Sequence, residues 1–219
     1  MAESVNPRAV LLMARAPRPG TTRPALEPLI GAARCAQLQT ELITRACAWA
    51  KEVAPGAVHV GYEPVDAGPE LRALLGSEVS LFPQSGIGIS GRLAQASARL
   101  FARGDRPLLI IWPDLPRWRE DHAEGALGDL KAGCGLSLGP EFDGGFYMIG
   151  LARPLPALFA LPEQAWRSPD AMSAAFVAAR EAGLEAGLLR AERGLRRPED
   201  VRALLADPLT DSEMRGILT

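Results

Sequence analysis

The feature that most limits the possible folds is a regular alternation of short apolar runs with longer segments of helical periodicity. The apolar run at 9–14 is followed by a loop rich in proline and glycine, which is typical of a buried strand. From about 31 to 53, apolar side chains then recur at helical spacing. The same alternation continues along the chain. It predicts further strands at 57–62, 78–82, 108–112, 134–138, 145–150 and 184–189, and helices at 69–75, 92–103, 122–131, 168–182 and 198–205.

This alternation predicts an α/β fold with a mostly parallel sheet covered by helices on both faces and joined by right-handed crossovers. The strand at 108–112 is the most hydrophobic, so we expect it at the centre of the sheet. Ser168 is predicted as the N-cap of the following helix, with Pro169 in its first position. The length of 219 residues and the absence of a linker favour one domain over residues 1–219.

The basic residues are almost all arginine. Of 24 Lys plus Arg, only Lys51 and Lys131 are lysines, and neither follows a glycine, so no Gly-Lys-Ser/Thr phosphate loop is present. The net charge of −2 gives no reason to expect nucleic-acid or acidic-membrane binding, and we expect a small-molecule partner. Three cysteines without a Cys-x-x-Cys pair argue against a disulfide framework or zinc knuckle.

Targeting signals are not evident in the sequence. The segment 1–8 lacks the pattern of a signal peptide, and no apolar run approaches the roughly 18 residues of a membrane span, so a cytoplasmic protein is expected. His59 and His122 have no metal-ligand spacing and are interpreted as structural residues.

In a parallel sheet, ligands bind outside the carboxyl ends of the strands, so the loops there are the candidate site. The PRPG loop at 17–20, followed by Arg23, could surround a phosphate with amides and guanidinium groups, or could be a proline-fixed turn. Asp114 follows the most hydrophobic strand and could hold Mg²⁺ or Mn²⁺ on a diphosphate, or could cap a turn. Asp143 and Gly144 similarly indicate either a ligand-facing turn or a plain hairpin.

Two further features carry weaker signals. The SGIGISG loop at 85–91 is an incomplete dinucleotide fingerprint, because the expected acid about twenty residues later is missing. Trp112, Trp118 and Trp166 could stack on a base or sugar, although packing is the commoner role of tryptophan at loop edges.

The order of these motifs carries more information than any one of them. The first strand is followed by PRPG, and a Gly-rich loop precedes the helix that contains Arg92. The most hydrophobic strand is followed by Asp114-Leu-Pro. The sequence GPEFDGGFYMIGL then covers 139–151, and WRSP at 166–169 precedes another helix. This order resembles the small bacterial glycosyltransferase-like family DUF2064, which is similar to the nucleotidyltransferases of molybdenum-cofactor dinucleotides and to phospholactate guanylyltransferases. The resemblance spans roughly residues 8 to 205.

The resemblance implies a Rossmann-like GT-A sandwich that binds a nucleotide or nucleotide sugar, with Mg²⁺ or Mn²⁺ at Asp114, and a transferase activity. It implies that Asp114 and Asp143 lie at the reaction centre. It also implies phosphate or nucleotide contacts from the residues Ala14, Arg18, Gly20, Arg23, Arg92, Gly144 and Arg196.

The chain departs from the family pattern at charged positions. Arg23 stands where the family has a lysine facing phosphate, and Gly194-Leu195-Arg196 stands where it has Asp-Val-Asp. Arginine cannot ligate a cation but can neutralise a diphosphate through bidentate hydrogen bonds. One interpretation is that Arg196 or Arg197 replaces part of the charge of the metal and transfer survives with a weak or absent metal. The other is that the chain is a catalytically degenerate relative that binds a ligand or a protein. A flavodoxin-like redox domain would share the strand and helix pattern.

Overall fold

Strands and helices alternate through residues 8–168 and 170–219, which are the residues that the computed structural model describes. The strands are β1 (Ala9–Arg15), β2 (Val58–Glu63), β3 (Ser80–Pro83), β4 (Leu108–Ile111), β5 (Leu136–Pro140), β6 (Phe146–Leu151) and β7 (Ala186–Leu188). The helices are α1 (Glu27–Val53), α2 (Gly68–Leu75), α3 (Gly88–Ala102), α4 (Glu120–Lys131), α5 (Ala171–Glu181), α6 (Pro198–Ala206) and α7 (Ser212–Leu218). Short 3₁₀ helices lie at Val65–Ala67, Leu158–Ala160 and Glu163–Arg167.

The strands form a mixed sheet in the order β3-β2-β1-β4-β6-β5-β7. Strands β3, β2, β1 and β4 are parallel, β6 runs antiparallel to both β4 and β5, and β7 is parallel to β5. The carboxyl ends of six strands and the amino end of β6 therefore meet at one edge. The loops that follow these ends gather there, including the turn between β5 and β6 and the segment after β7.

The burial of the strands explains why they read as continuous apolar runs. Residues 9–14, 108–111 and 146–151 are buried throughout, because helices cover both faces of the sheet. Helix α1 contacts α2, α4 and α7, while α3 and α5 both contact the 3₁₀ helices at 158–160 and 163–167. These two groups of helices form the two layers that cover the sheet.

The helix boundaries differ from the sequence prediction at four places. Helix α1 begins at Glu27, earlier than predicted, but is broken at Gly31, whose φ is 78°. Helix α3 begins at Gly88 rather than Arg92. Helix α5 begins at Ala171, so the prediction of Ser168 as its N-cap is wrong, and Pro169 lies outside the described residues. Helix α7 was not predicted.

Several remaining predictions concern single residues. Lys51 and Lys131 lie at the carboxyl ends of α1 and α4, at the sheet edge opposite the loops that follow the strands. His59 and His122 are both buried, and their imidazoles lie 3.4 Å from Asp105 and 3.3 Å from Glu192.

The prediction of no signal peptide concerns residues 1–8, of which 1–7 lie outside the described residues. In the described part of the chain, no helix combines the length and apolar character needed to cross a membrane.

Candidate functional site

A cleft of about 800 Å³ opens at the edge of the sheet where β1, β2 and β4 end. Its floor includes Met13 and Ala14 at the end of β1, and Trp112 and Pro113 just after β4. Nine charged side chains line its walls. Five of them are arginines, namely Arg15, Arg23, Arg92, Arg196 and Arg197, and four are acids, namely Glu63, Asp114, Asp143 and Glu163.

Arg196 lies at the centre of a group of carboxylates. Its Nε and Nη2 atoms donate to Asp114 Oδ2 at 3.0 and 2.8 Å, and Nη2 also donates to Glu141 Oε1 at 3.1 Å. Its Nη1 atom lies 3.5 Å from Asp143 Oδ2. One guanidinium therefore links three acids that come from two different loops. We call these four residues, Asp114, Glu141, Asp143 and Arg196, the arginine–carboxylate cluster.

The topology of the sheet explains why these residues meet. Asp114 follows β4, Glu141 and Asp143 form the turn between β5 and β6, and Arg196 lies on the segment that follows β7. This segment is held by backbone contacts, since Leu195 N donates to Asp114 O at 2.8 Å and Arg196 N donates to Asp200 Oδ2 at 3.1 Å.

Two glycines make room for the cluster. A Cβ atom at Gly194 would lie 2.4 Å from Glu141 Oε2, and one at Gly145 would lie 3.0 Å from Arg196 Nη1. Any larger residue at position 194 would therefore collide with the buried carboxylate. Gly194 thus leaves space for the side chain of Glu141, two residues before Arg196 contacts Asp114.

The buried acids of the cluster have displaced pKa values. Burial raises the pKa of Glu141 to about 8, although Arg196 opposes this effect. Its side chain is only 1% exposed, and its Oε2 atom has no hydrogen-bond partner among the described residues. Burial acts in the same direction on Asp114, but the guanidinium groups of Arg196 and Arg23 outweigh it and hold the pKa of Asp114 below its ordinary value.

Arg23 contacts the second carboxylate oxygen of Asp114. Its Nη2 atom donates to Pro113 O at 2.8 Å and to Asp114 Oδ1 at 3.2 Å, and its Nη1 atom donates to Leu195 O. The side chain is 6% exposed, and its Nε atom has no partner among the described residues. The backbone of Arg23 has a φ of 51°, in the left-handed region that non-glycine residues rarely adopt. A costly conformation of this kind points to a constrained position at a site.

The half of the cleft beneath β1 and β2 contains a second set of fixed polar groups. The side-chain nitrogen of Gln84 donates to Ala14 O at 3.3 Å and to Gly61 O at 2.8 Å, which fixes the orientation of its amide. Glu63 at the end of β2 pairs with Arg15 at 2.8 Å and also with Arg92 from α3. This half presents main-chain groups, an oriented amide and the ion pairs of Glu63, whereas the other half presents the arginine–carboxylate cluster.

The structure places the predicted site residues unevenly. Ala14, Arg23, Arg92, Asp114, Asp143 and Arg196 line the cleft. Arg18, Gly20 and Gly144 do not belong to its lining within the described residues. Arg18 pairs instead with Asp66 at 3.0 Å and Glu70 at 3.1 Å. Gly20 and Gly144 occupy turns, with φ values of 73° and 95°.

The glycine-rich loop and two of the tryptophans have structural contacts. The amide of Ile89 at the start of α3 donates to both carboxylate oxygens of Glu163, at 3.0 and 2.8 Å. Trp166 is buried and its indole N–H donates to Ser90 at 2.6 Å, while Trp118 packs against Trp49 with ring centroids 4.5 Å apart. Trp112 is half-buried at the cleft floor.

Sequence reasoning missed Glu141, Glu63 and Gln84. A signal for Glu141 was available, because it lies two residues before Asp143 at the end of a strand, where side chains alternate between faces with a period of two. Glu63 and Gln84 directly follow apolar strand residues at the same sheet edge, as Asp114 does. An acid or amide in that position is a candidate for the reason that made Asp114 one.

Several solved structures have the same fold. A candidate nucleotide-diphospho-sugar transferase from Desulfovibrio desulfuricans G20 matches with a TM-score of 0.85 and 23% identity, over 96% of this chain and 93% of that one. 4-Diphosphocytidyl-2C-methyl-D-erythritol synthase matches with a TM-score of 0.53 and 14% identity, over 93% and 100% of the two chains. CMP:2-keto-3-deoxy-manno-octonic acid synthetase, solved with CTP, matches with a TM-score of 0.51 and 13% identity, over 91% and 98%.

These likenesses confirm the predicted Rossmann-like α/β sandwich of the GT-A kind. No curated protein matches the chain in sequence. The model of the family described as uncharacterized proteins conserved in bacteria, DUF2064, matches residues 46–166, more than half of the chain. The resemblance stated from the motifs is thereby confirmed, and the chain belongs to the DUF2064 family.

Proposed function

We propose that the cleft binds a nucleotide or nucleotide sugar and that the chain acts as a nucleotide-diphospho-sugar or nucleotidyl transferase. The observation that carries this proposal is the set of five arginines in one cleft at the carboxyl edge of the sheet. Guanidinium groups bind phosphate oxygens through paired, charge-assisted hydrogen bonds. The structures with the same fold include a candidate nucleotide-diphospho-sugar transferase, a synthetase solved with CTP and a synthase of a diphosphocytidyl compound, and these names support the same class of ligand.

The two halves of the cleft suggest how such a ligand would lie. The main chain at Met13 and Ala14, together with the oriented amide of Gln84, offers hydrogen-bonding groups suited to the edge of a base. The phosphates would lie between Arg92, which pairs with Glu63, and Arg196 of the arginine–carboxylate cluster. Asp114 and Asp143 would then face the group to be transferred, as the resemblance implies.

A second candidate is a binding module without turnover. The observation that favours it is that both oxygens of Asp114 are already occupied, Oδ1 by Arg23 and Oδ2 by Arg196. The two candidates differ in whether a bound nucleotide sugar is consumed. Phosphorus NMR of the chain with the nucleotide sugar or nucleoside triphosphate that binds most tightly, together with candidate hydroxyl- or phosphate-bearing acceptors, distinguishes them. A transferase moves the sugar to an acceptor and releases nucleoside diphosphate, or moves the nucleotidyl group and releases pyrophosphate, whereas a binding module leaves the compounds unchanged.

The proposal is tested by thermal unfolding of the chain with CTP, GTP, UDP-sugars and GDP-sugars. A ligand present at a hundred times its dissociation constant adds about 2.7 kcal/mol to the free energy of unfolding, which raises the melting temperature measurably. We expect one nucleotide class to do so. If none of them shifts the melting temperature at millimolar concentration, the proposal is wrong.

The variant Arg92→Ala tests whether the arginines of the cleft hold the phosphates. We expect it to weaken nucleotide binding by about tenfold, equivalent to roughly 1.4 kcal/mol, because one charge-assisted contact is lost. The matched control is Arg99→Ala on the same helix, whose guanidinium lies over the ring of Phe82, 4.8 Å from its centroid, and outside the cleft lining. Calorimetric titration measures the nucleotide affinity of both variants. Equal affinities in the two would show that Arg92 does not bind the phosphates.

A further inference from the structure

The fold family implies a divalent cation at Asp114, and the residues around Asp114 do not fit one. Mg²⁺ in a phosphate site is bound by one or two carboxylates together with waters and ligand phosphates, so at least one carboxylate must turn a free lone pair toward a point in the cleft. Here that point is filled by a side chain. Arg196 donates to Asp114 at 2.8 and 3.0 Å and to Glu141 at 3.1 Å, and it approaches Asp143 to 3.5 Å.

The other oxygens of the cluster are turned away from a shared ligand position. Asp114 Oδ1 accepts from Arg23 at 3.2 Å, and Asp143 Oδ1 accepts from the amide of Gly145 at 3.1 Å. Glu141 Oε2 faces the backbone of Gly194 in the interior. Among the described residues, no three His, Cys, Asp or Glu side chains are grouped so that they could hold a metal ion.

From this arrangement we infer that the guanidinium of Arg196 takes the position and part of the charge of the divalent cation in this site. The chain therefore binds the phosphates of its ligand without a metal. This inference deepens the proposed function and rests on it for the identity of the ligand, but the placement of Arg196 stands on the geometry alone.

The position of Arg196 is built into the chain around it. The absence of a side chain at Gly145 leaves space for the Nη1 group, and the backbone bonds from Leu195 to Asp114 and from Arg196 to Asp200 fix the segment. Its Nε and Nη2 atoms donate hydrogen bonds to Asp114 and Glu141. Its Nη1 atom has only the longer contact with Asp143 in the described part of the chain, and the side chain lines the cleft.

This division of donors gives Arg196 two functions. The Nε and Nη2 atoms neutralise the carboxylate of Asp114 and donate to Glu141, which is how a cation would hold its protein ligands. The Nη1 atom, with two N–H groups, can donate to a phosphate oxygen, which is what a cation does on its ligand side. A guanidinium cannot exchange or be chelated, so ligand binding should be insensitive to EDTA.

The inference is tested by titrating the chain with Mn²⁺ in the absence of nucleotide and following the electron paramagnetic resonance signal of free Mn²⁺. We expect the native chain to leave the signal unchanged at millimolar Mn²⁺. Arg196→Ala frees Asp114, Glu141 and Asp143 and should bind a single Mn²⁺. The control Arg18→Ala also frees two carboxylates, those of Asp66 and Glu70 on the surface, and should behave as the native chain does.

Two results would overturn the inference. One is Mn²⁺ binding by the native chain that is lost in Asp114→Asn, and the other is a folded Arg196→Ala chain that binds no Mn²⁺. If Arg196→Ala does not fold, the affinity of the native chain for its nucleotide in EDTA and in Mg²⁺ decides instead.

A second readout separates this inference from the proposed function. The affinity of the native chain for its nucleotide should be the same in EDTA and in Mg²⁺, and a gain of about tenfold or more in Mg²⁺ contradicts the inference. If no nucleotide binds under either condition, the proposed function fails, while the Mn²⁺ titrations still test the position of Arg196.

Discussion

At the scale of single residues, Glu141 is the group whose chemistry the fold alters most. Its carboxyl group is buried beside Arg196 and the backbone of Gly194, and burial raises its pKa to about 8. The ordinary pKa of a glutamate in an unfolded chain is about 4.3. Between these two pH values the folded chain holds a proton at Glu141 that the unfolded chain has released.

This difference predicts a pH dependence of stability. Because the folded pKa lies above the unfolded one, the contribution of Glu141 to the free energy of unfolding is complete below about pH 4 and declines as the pH rises through 8. The decline is at most about 1.4 kcal/mol per pH unit. Glu141→Gln removes the titration. Urea unfolding of both chains between pH 5 and pH 9 should show the advantage of the native chain shrinking as the pH rises, and parallel curves would refute the shift.

The residues of the cluster differ in how far sequence reasoning could reach them. Asp114 and Arg196 were predicted because each stands at a recognisable position in the order of motifs. That Arg196 would contact Asp114, rather than stand free to meet phosphate, could not be predicted, since the contact joins residues 82 positions apart through the placement of β7 beside β5. Arg18 was expected in the site because of the PRPG loop, but its side chain pairs with Asp66 and Glu70 outside the lining of the cleft.

At the scale of elements, the hairpin formed by β5 and β6 positions both Glu141 and Asp143. Gly139 in β5 lies against the ring of Tyr147 in β6, and a Cβ atom at Gly139 would come within 2.5 Å of that ring. Tyr147 is fully buried and touches the rings of His122 and Trp118. The hairpin therefore has no room for a methyl group at this point.

Gly139→Ala should destabilise the chain by about 1–3 kcal/mol, as overpacking of a tight core does. The control is Gly128→Ala in the exposed part of α4, where a Cβ atom would have no neighbour within 4 Å. Replacing a helical glycine with alanine should stabilise the chain by about 0.5–1 kcal/mol. Chemical denaturation of both variants should give changes of opposite sign, and a neutral Gly139→Ala would show that Tyr147 can move aside.

The elements themselves were largely predictable. Buried strands read directly as apolar runs, and each predicted strand was found within two residues of its expected start. The antiparallel direction of β6 follows from the short turn after β5, which the Asp143-Gly144 hairpin signal had indicated. Helix α7 was missed because its seven residues carry little periodicity, although Asp211 caps it by accepting from Met214 N at 2.9 Å.

At the scale of the whole molecule, the described residues contain a main core around the sheet and a smaller core beside it. The smaller one joins α1 to α6 and α7 and consists of Leu26, Ile30, Cys35, Leu38, Leu42, Leu195, Val201, Met214, Ile217 and Leu218. Leu195 belongs to it and immediately precedes Arg196. The smaller core therefore anchors the segment that carries Arg196 into the cleft.

Ile217→Ala tests this anchoring. The side chain is buried in the smaller core, and removing it should lower the free energy of unfolding by about 2–4 kcal/mol. The control Val177→Ala, at an exposed position of α5, should change it by no more than about 0.5 kcal/mol. Thermal or urea unfolding measures both, and equal effects would mean that the smaller core contributes little to the fold.

The central claim is that a guanidinium stands in for a cation beneath the phosphates of a bound nucleotide. The most direct measurement is a crystal structure of the native chain with its nucleotide and Mn²⁺, with anomalous diffraction recorded at the manganese edge. The predicted result is a phosphate oxygen against Arg196 Nη1 and no anomalous peak within the arginine–carboxylate cluster. An anomalous peak between Asp114 and the phosphates, with Arg196 displaced from the carboxylates, would contradict the claim.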